Sequence, residues 1–328
     1  MITNRHMNRQ VIYQKGFTLV EVLISLTVGL MLFSGLLSVF VSTKITTFET
    51  ATYGELQESG RYALSIISDD LLSQNFFGDF AGSLDYSMLN SVPTPPNIEC
   101  HGDGQNNGTF PIEAGHFRTL WGVTIKNESV MGCINNAKKT SDLIQIKRAI
   151  ATPLTTTSNS YFYIISNLSQ AEIFTGTHVP RLLNGRVWQY QHHIYYIKEE
   201  LQGRNKVPVL MQGRLTKKMT FSPIIDGVEI IRFMYGVDVD ALGSAGYGSV
   251  DTFLSANDMT ATQWDNVNHN RVIAVRVYIL VRSILPDIKY VNNNTYHLGD
   301  QSFTYNDHYR RLLFHSTVTL YNAGVDLW

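Results

Sequence analysis

The 328-residue sequence predicts an α+β fold: a long amino-terminal helix, first transmembrane and then amphipathic, packed on an antiparallel β-sheet head. Three observations predict it. An apolar run over residues 17–41 contains a single charge, Glu21; a helical period continues past that run; and strand patterns follow one another after residue 140 without long helices between them.

The apolar run is about 25 residues long, enough to cross a bilayer as a helix, which takes ~20. A cleavable secretory signal has an apolar region of roughly 7–15 residues ending in a small-x-small site, and the run fits neither feature. Arg5, Arg9 and Lys15 precede it without any acid, whereas Glu49, Glu55, Glu58, Asp69 and Asp70 follow. The basic side stays in the cytoplasm, so the expected topology is a single pass with the remainder of the chain exported. An acid in an inserted helix costs up to ~3 kcal/mol near its centre and less toward its end. Glu21 therefore needs a partner. A cut between Gly16 and Phe17 would start the helix with a free ammonium, which a carboxylate four residues along neutralises, in its own subunit or a neighbour.

Beyond the run, Ile45, Phe48, Thr52, Leu56, Ala63, Ile67 and Leu71 stay on one helical face. They predict a helix from Phe17 to about Ser73, ~85 Å long, whose second half packs its stripe on the head. Gly60 interrupts the stripe at ~1 kcal/mol relative to alanine and predicts a bend or frayed turn. Asn75, Phe76, Phe77 and Gly78 end the helical segment. The expected organisation is a leader over 1–16, a helical segment over 17–78 with 17–41 in the membrane, and a β-rich head over 79–328. Residues 83–136 read as loop, with Pro93, Pro95 and Pro96 followed by HGDGQNNG. Strands are expected at 143–150, 161–165, 186–197, 228–239, 272–282 and 313–322. The last two carry the clearest alternation: Val275, Val277, Ile279 and Val281 on one face, and Phe314, Ser316, Val318 and Leu320 on the other strand's inner face.

Charged residues make up 16% of the chain and the formal net charge is −1. Loss of Arg5, Arg9 and Lys15 with a leader takes it to −4. No basic excess exists for nucleic acid. Cys100 and Cys133 are the two cysteines, both beyond the membrane. Paired in an oxidising compartment, they would close a loop of about 34 residues and constrain the unfolded chain by ~3–4 kcal/mol. No CxxC motif or Cys/His cluster of zinc spacing occurs.

Gly16, Phe17, Thr18, Leu19, Val20 and Glu21, at the boundary of basic leader and apolar span, resemble the processing site of type IV prepilins and pseudopilins. Three further blocks are similar to the PilW family of minor type IV pilins: Leu56 to Leu64 (LQESGRYAL) with Asp69, Asp70, Leu71 and Phe76, Phe77, Gly78; Val228, Glu229 and then Tyr235, Gly236, Val237, Asp238; and Arg271, Val272 through Val281, Arg282, Ser283 with Tyr309, Arg310, Arg311 and Phe314 to Leu320. Residues 83–225 match no block of that family. The resemblance implies a type IV pilin-like fold, cleavage after Gly16 by a prepilin peptidase, N-methylation of Phe17, and Glu21 as the charge that docks a subunit in the filament. It implies a structural subunit without catalysis or cofactor, which helps initiate a pilus and sits near its tip. Implied partners are other minor pilins, the major pilin, the inner-membrane assembly platform and a PilY-type tip adhesin, with the subunit passing from inner membrane to pilus.

The family's acidic turn after YGVD has the form of a calcium loop. Here Asp238 and Asp240 begin an Asp-x-Asp pattern, but Leu242 stands where a third oxygen is needed and Ser249 replaces a closing acid. Asp103, Gln105, Asn107 and Gly108 form a similar near miss, with Ala114 at the closing position. Both read as turns, and no metal is expected. GSAGYG at 243–248 lacks the strand-turn-helix context of a nucleophile elbow or dinucleotide loop and reads as a hairpin loop. His192 and His193, adjacent in a strand pattern, point to opposite faces and read as structural. Two other readings stay open: a J-like minor pseudopilin of type II secretion, and a membrane-tethered adhesin or hydrolase acting through the middle region.

Overall fold

A computed structural model describes residues 16–82, 84–203 and 205–323. Arg5, Arg9, Lys15 and the rest of the expected leader before Gly16 lie outside the described residues. The chain divides into two compact units between Thr52 and Tyr53.

Helix α1 covers Leu19–Leu72, 54 residues. In the second unit its buried residues are Leu56, Gly60, Ala63, Ile67, Asp70 and Leu71, the expected stripe with two additions. Ile45 and Phe48, in the first unit, are exposed. Helix α1 runs unbroken through Gly60, without a frayed turn. This glycine lies in the stripe, and a Cβ built there would stand 2.7 Å from Cζ of Phe314 and closer to two other ring atoms. Glycine is present because a ring occupies the space of its side chain, a cause the local pattern does not carry. The helix stops at Leu72, and Asn75 then takes a left-handed backbone at φ 59°. Its side-chain amide donates to the Asn322 carbonyl at 2.9 Å, and Asn322 donates back to that of Gln74 at 3.0 Å. The end of α1 is thus tied to the carboxy-terminal segment.

Seven strands form the first sheet: β1 (Leu120–Thr124), β2 (Asp142–Ala149), β3 (Phe162–Ser166), β4 (Ala171–Thr175), β5 (Arg186–Gln202), β6 (Asn205–Leu215) and β7 (Met219–Asp226). Their order is β1-β2-β5-β3-β4, with β6 on β5 and β7 on β6, every pair antiparallel. β5, 17 residues rich in aromatic and β-branched side chains, is long enough to pair β3 at its start and β6 at its end. The second sheet has the order β13-β10-β8-β9, from β8 (Val228–Asp238), β9 (Thr252–Ser255), β10 (Arg271–Arg282) and β13 (Arg311–Thr319). A one-turn helix α2 (Ala261–Trp264) precedes β10, and β11 (Thr295–Leu298) pairs β12 (Gln301–Thr304) through the two-residue turn Gly299–Asp300.

The six expected strands are all present, within a few residues of their expected ends except that β5 runs on to Gln202. On β10, Val275, Val277, Ile279 and Val281 enter the main core with the α1 stripe, while Leu280 enters a smaller core with Ile230 and Leu298 under the β11–β12 hairpin. The sheets are joined by a buried charge. Arg232, fully buried on β8, donates to Asp142 of β2 at 2.7 Å and to Asp300 at 2.7 Å, and the Phe233 N–H donates to Asp142 at 2.8 Å. Removing Arg232 would leave the fully buried Asp142 carboxyl without its cation, a strongly destabilising change.

Candidate functional site

In the first unit, Thr18 caps α1. Its carbonyl accepts the first helical bond from Val22 at 3.2 Å, its hydroxyl accepts from the Glu21 N–H at 3.3 Å, and Glu21 Oε2 accepts from the Thr18 N–H and hydroxyl, both at 3.0 Å. This reciprocal pair is a capping box, and it places the carboxylate where the helix dipole favours negative charge. Gly16 and Phe17 precede the helix, with Phe17 exposed. The apolar residues that follow are exposed, and α1 is long and apolar enough to cross a membrane. An acid bonded within its own first turn is a lesser burden on such a helix than a bare one.

In the second unit, α1 is fastened to the first sheet through Asp70. Its carboxylate, 3% exposed, accepts from Arg148 Nε at 2.6 Å and the Tyr195 hydroxyl at 2.7 Å, and bonds His193 Nδ1 at 2.6 Å. Burial opposes its ionisation, but the His193 bond and charge, Arg148 and Tyr195 outweigh it and hold the carboxyl down at about 2. His192 turns to the opposite face, toward Thr109 and Gln145 at 3.4 and 3.3 Å. The adjacent histidines therefore face apart, as strand geometry requires.

Cys100 and Cys133 are disulfide-bonded, with Cα atoms 5.2 Å apart. The turn after YGVD lies between β8 and β9 and brings Asp251 beside Asp238 and Asp240. Asp238 Oδ1 accepts the Asp240 N–H at 2.9 Å, and its Oδ2 accepts from Gly248 at 2.7 Å and Arg271 at 2.6 Å. Asp251 accepts from the Val239 N–H at 2.8 Å, and Leu242 is exposed and offers no oxygen. The carboxylates of Asp238, Asp240 and Asp251 lie within 4.8 Å of one another, and Arg271 brings a positive charge to Asp238, its guanidinium stacked 3.7 Å from the Tyr247 ring. In the Asp103 turn, Asn107 is fully buried and faces inward, bonded to Gln145.

The conspicuous residues of the sequence blocks meet one another in space. Gly60 meets Phe314; Asp238 meets Arg271; Glu229 takes two bonds from Arg311, at 2.6 and 3.1 Å, and lies 3.5 Å from Arg282. A family model described as Type IV Pilus-assembly protein W matches residues 194–322, and one for the prokaryotic N-terminal methylation motif matches residues 12–37. The chain carries a PilW domain. Neither curated proteins nor solved structures match it.

The PilW match begins in β5 and takes in β13, so it covers the whole second sheet but not β1 to β4. With the methylation motif at the start of α1, it supports a minor type IV pilin role, that of a membrane-anchored structural subunit of a pilus. Sequence reasoning missed Asp251, which falls outside calcium-loop spacing, and the link from Asp70 to His193, residues 123 positions apart. Asp70 did carry a signal, being the one acid that falls beside Ile67 and Leu71 on the buried stripe.

Proposed function

We propose that this chain is a minor type IV pilin that helps initiate pilus assembly and sits at or near the filament tip. The observation that carries the reading is a PilW domain on the same chain as a prepilin methylation motif. In this reading residues 1–16 form a leader, cut after Gly16 by the prepilin peptidase, and Phe17 becomes the methylated amino terminus. Residues 17–41 hold the subunit in the inner membrane with the head, residues 79–328, in the periplasm; the rest of the 17–78 helical segment mounts that head. Glu21 exchanges its bonds to Thr18 for the amino terminus of a neighbouring pilin as the subunit leaves the bilayer. Its partners are the major pilin, other minor pilins, the assembly platform and a PilY-type tip adhesin. The protein contributes shape and contacts, not chemistry.

The test is complementation of a deletion strain, with surface pili counted and the mature amino terminus read by mass spectrometry. Wild-type chain should restore pili and yield N-methyl-Phe17, whereas Glu21→Ala should be processed yet restore few or none. Intact pili in the deletion strain together with lost protein secretion would replace this reading with that of a type II pseudopilin. An uncut Met1 would defeat it.

A further inference from the structure

On the face of the first sheet away from Asp70 lies a cluster of reactive groups that neither processing nor docking employs. Lys147 of β2 is fully buried, as are Asn107, Thr109 and Gln145 around it. Lys147 Nζ donates to the Arg118 carbonyl at 2.7 Å, lies 3.4 Å from Asn107 Oδ1, and sits 4.5 Å from the centroid of the Phe117 ring. Asn107 is held in place from both ends of its amide: Nδ2 donates to the Asp103 carbonyl at 2.8 Å, and Oδ1 accepts from Gln145 Nε2. Glu99 reaches in from the residue before Cys100. Its Oε1 accepts the Thr109 N–H, and a Cβ built on Gly108 would stand 2.5 Å from that oxygen, so glycine beside Asn107 makes room for the carboxyl. Phe110 and Tyr190, both fully buried, complete an aromatic wall.

We propose that Lys147 and Asn107 join in an intramolecular isopeptide bond, with Glu99 relaying the proton. The Lys147 amine attacks Cγ of Asn107, whose carbonyl is polarised by the Gln145 N–H. A proton passes from the attacking nitrogen through the Glu99 carboxyl to Nδ2, the Cγ–Nδ2 bond breaks, and ammonia leaves. The product is a secondary amide; Glu99 ends as it began, and no oxidant or cofactor enters. The amine must be neutral to attack. Burial supplies that condition, pushing Lys147 far below its usual range, with the Arg118 charge adding to the effect against an opposing pull from Glu99. Lys147 and Asn107 belong to separate parts of the head, and proximity without competing water is what such an acyl transfer requires. The bond would tie the loop after Cys100 to the central strand β2, so the disulfide and the isopeptide would hold the same loop at two points.

Tandem mass spectrometry tests this on the full chain, extracted in detergent, reduced, denatured and digested with trypsin. The expected product is a branched peptide joining Asn107 to Lys147, lighter than its two parent peptides by one ammonia. Linear peptides with both side chains intact would overturn the proposal. So would ammonia loss confined to the linear Asn107–Gly108 peptide, which reports attack by the Gly108 backbone nitrogen to give a succinimide. Glu99→Gln, with folding verified by circular dichroism, should lose the branched peptide; a folded variant that cross-links as well as wild type would remove Glu99 from the reaction.

Discussion

Asp70 is the one acid of α1 that enters the core, and three side chains from two strands converge on it. Its carboxyl is lowered from 3.8 to about 2 on folding, so the folded state binds its proton more weakly than the unfolded chain does. The resulting stabilisation is fully present above pH ~4 and is lost as pH falls through about 2, amounting to ~2 kcal/mol. Asp70→Asn should therefore cost about that much at pH 7 in denaturant unfolding, and the difference from wild type should shrink toward zero as pH approaches 2. A difference that persists at pH 2 would assign the cost to lost packing. None of this was visible in the sequence beyond the acid's place on the stripe, because its partners lie in β2 and β5 and only the fold brings them together.

At the scale of elements, the contact between Gly60 and Phe314 joins α1 to the edge strand β13. Gly60→Ala illustrates the competition between local and tertiary effects. Alanine favours the helix by about 1 kcal/mol, yet its methyl group collides with the Phe314 ring, and overpacking of this kind costs ~1–3 kcal/mol. The substitution should destabilise the wild-type chain and stabilise a Phe314→Ala chain, a change of sign that a double-mutant cycle in urea detects. Additive effects would mean that the ring moves aside freely. The same competition explains which elements could be read in advance. β10 and β13 alternate cleanly and were legible. β6 carries Pro208 and Gly213, and β7 carries Pro223 opposite a register shift at Leu210/Met211, so their patterns were broken. β11 and β12 have four residues each, too few for any period. The start of α1 was legible because an uninterrupted apolar run needs no tertiary context.

For the molecule as a whole, residues 84–136 are poor in regular structure, with one strand, β1, and one 3₁₀ turn at Tyr86–Met88 among the described residues. They are ordered by apolar side chains that reach the main core, among them Phe110, Phe117, Trp121 and Ile134, together with the Cys100–Cys133 bridge, the Arg118–Asp265 ion pair at 2.6 Å and the inward-facing Asn107. Reducing the bridge, or replacing both cysteines with serine, should lower stability by ~2–4 kcal/mol. Limited proteolysis should then cut first between residues 101 and 132 while the PilW sheet resists; cleavage that starts in the second sheet would show that the bridge supports the entire head. Function was legible at the two ends of the chain, where blocks such as VE, YGVD and YRR supply partners for one another. The middle was opaque because its core residues, such as Phe110, Phe117 and Ile134, come from loops and at irregular spacing, and because the disulfide and buried polar contacts leave no periodic trace.

The Thr18–Glu21 cap has one more consequence, for timing. On the proposed docking role the cap is a holding state: Glu21 Oε2 stays bonded within its own first turn until a neighbour's ammonium offers a charge-assisted bond, so the exchange runs toward the filament.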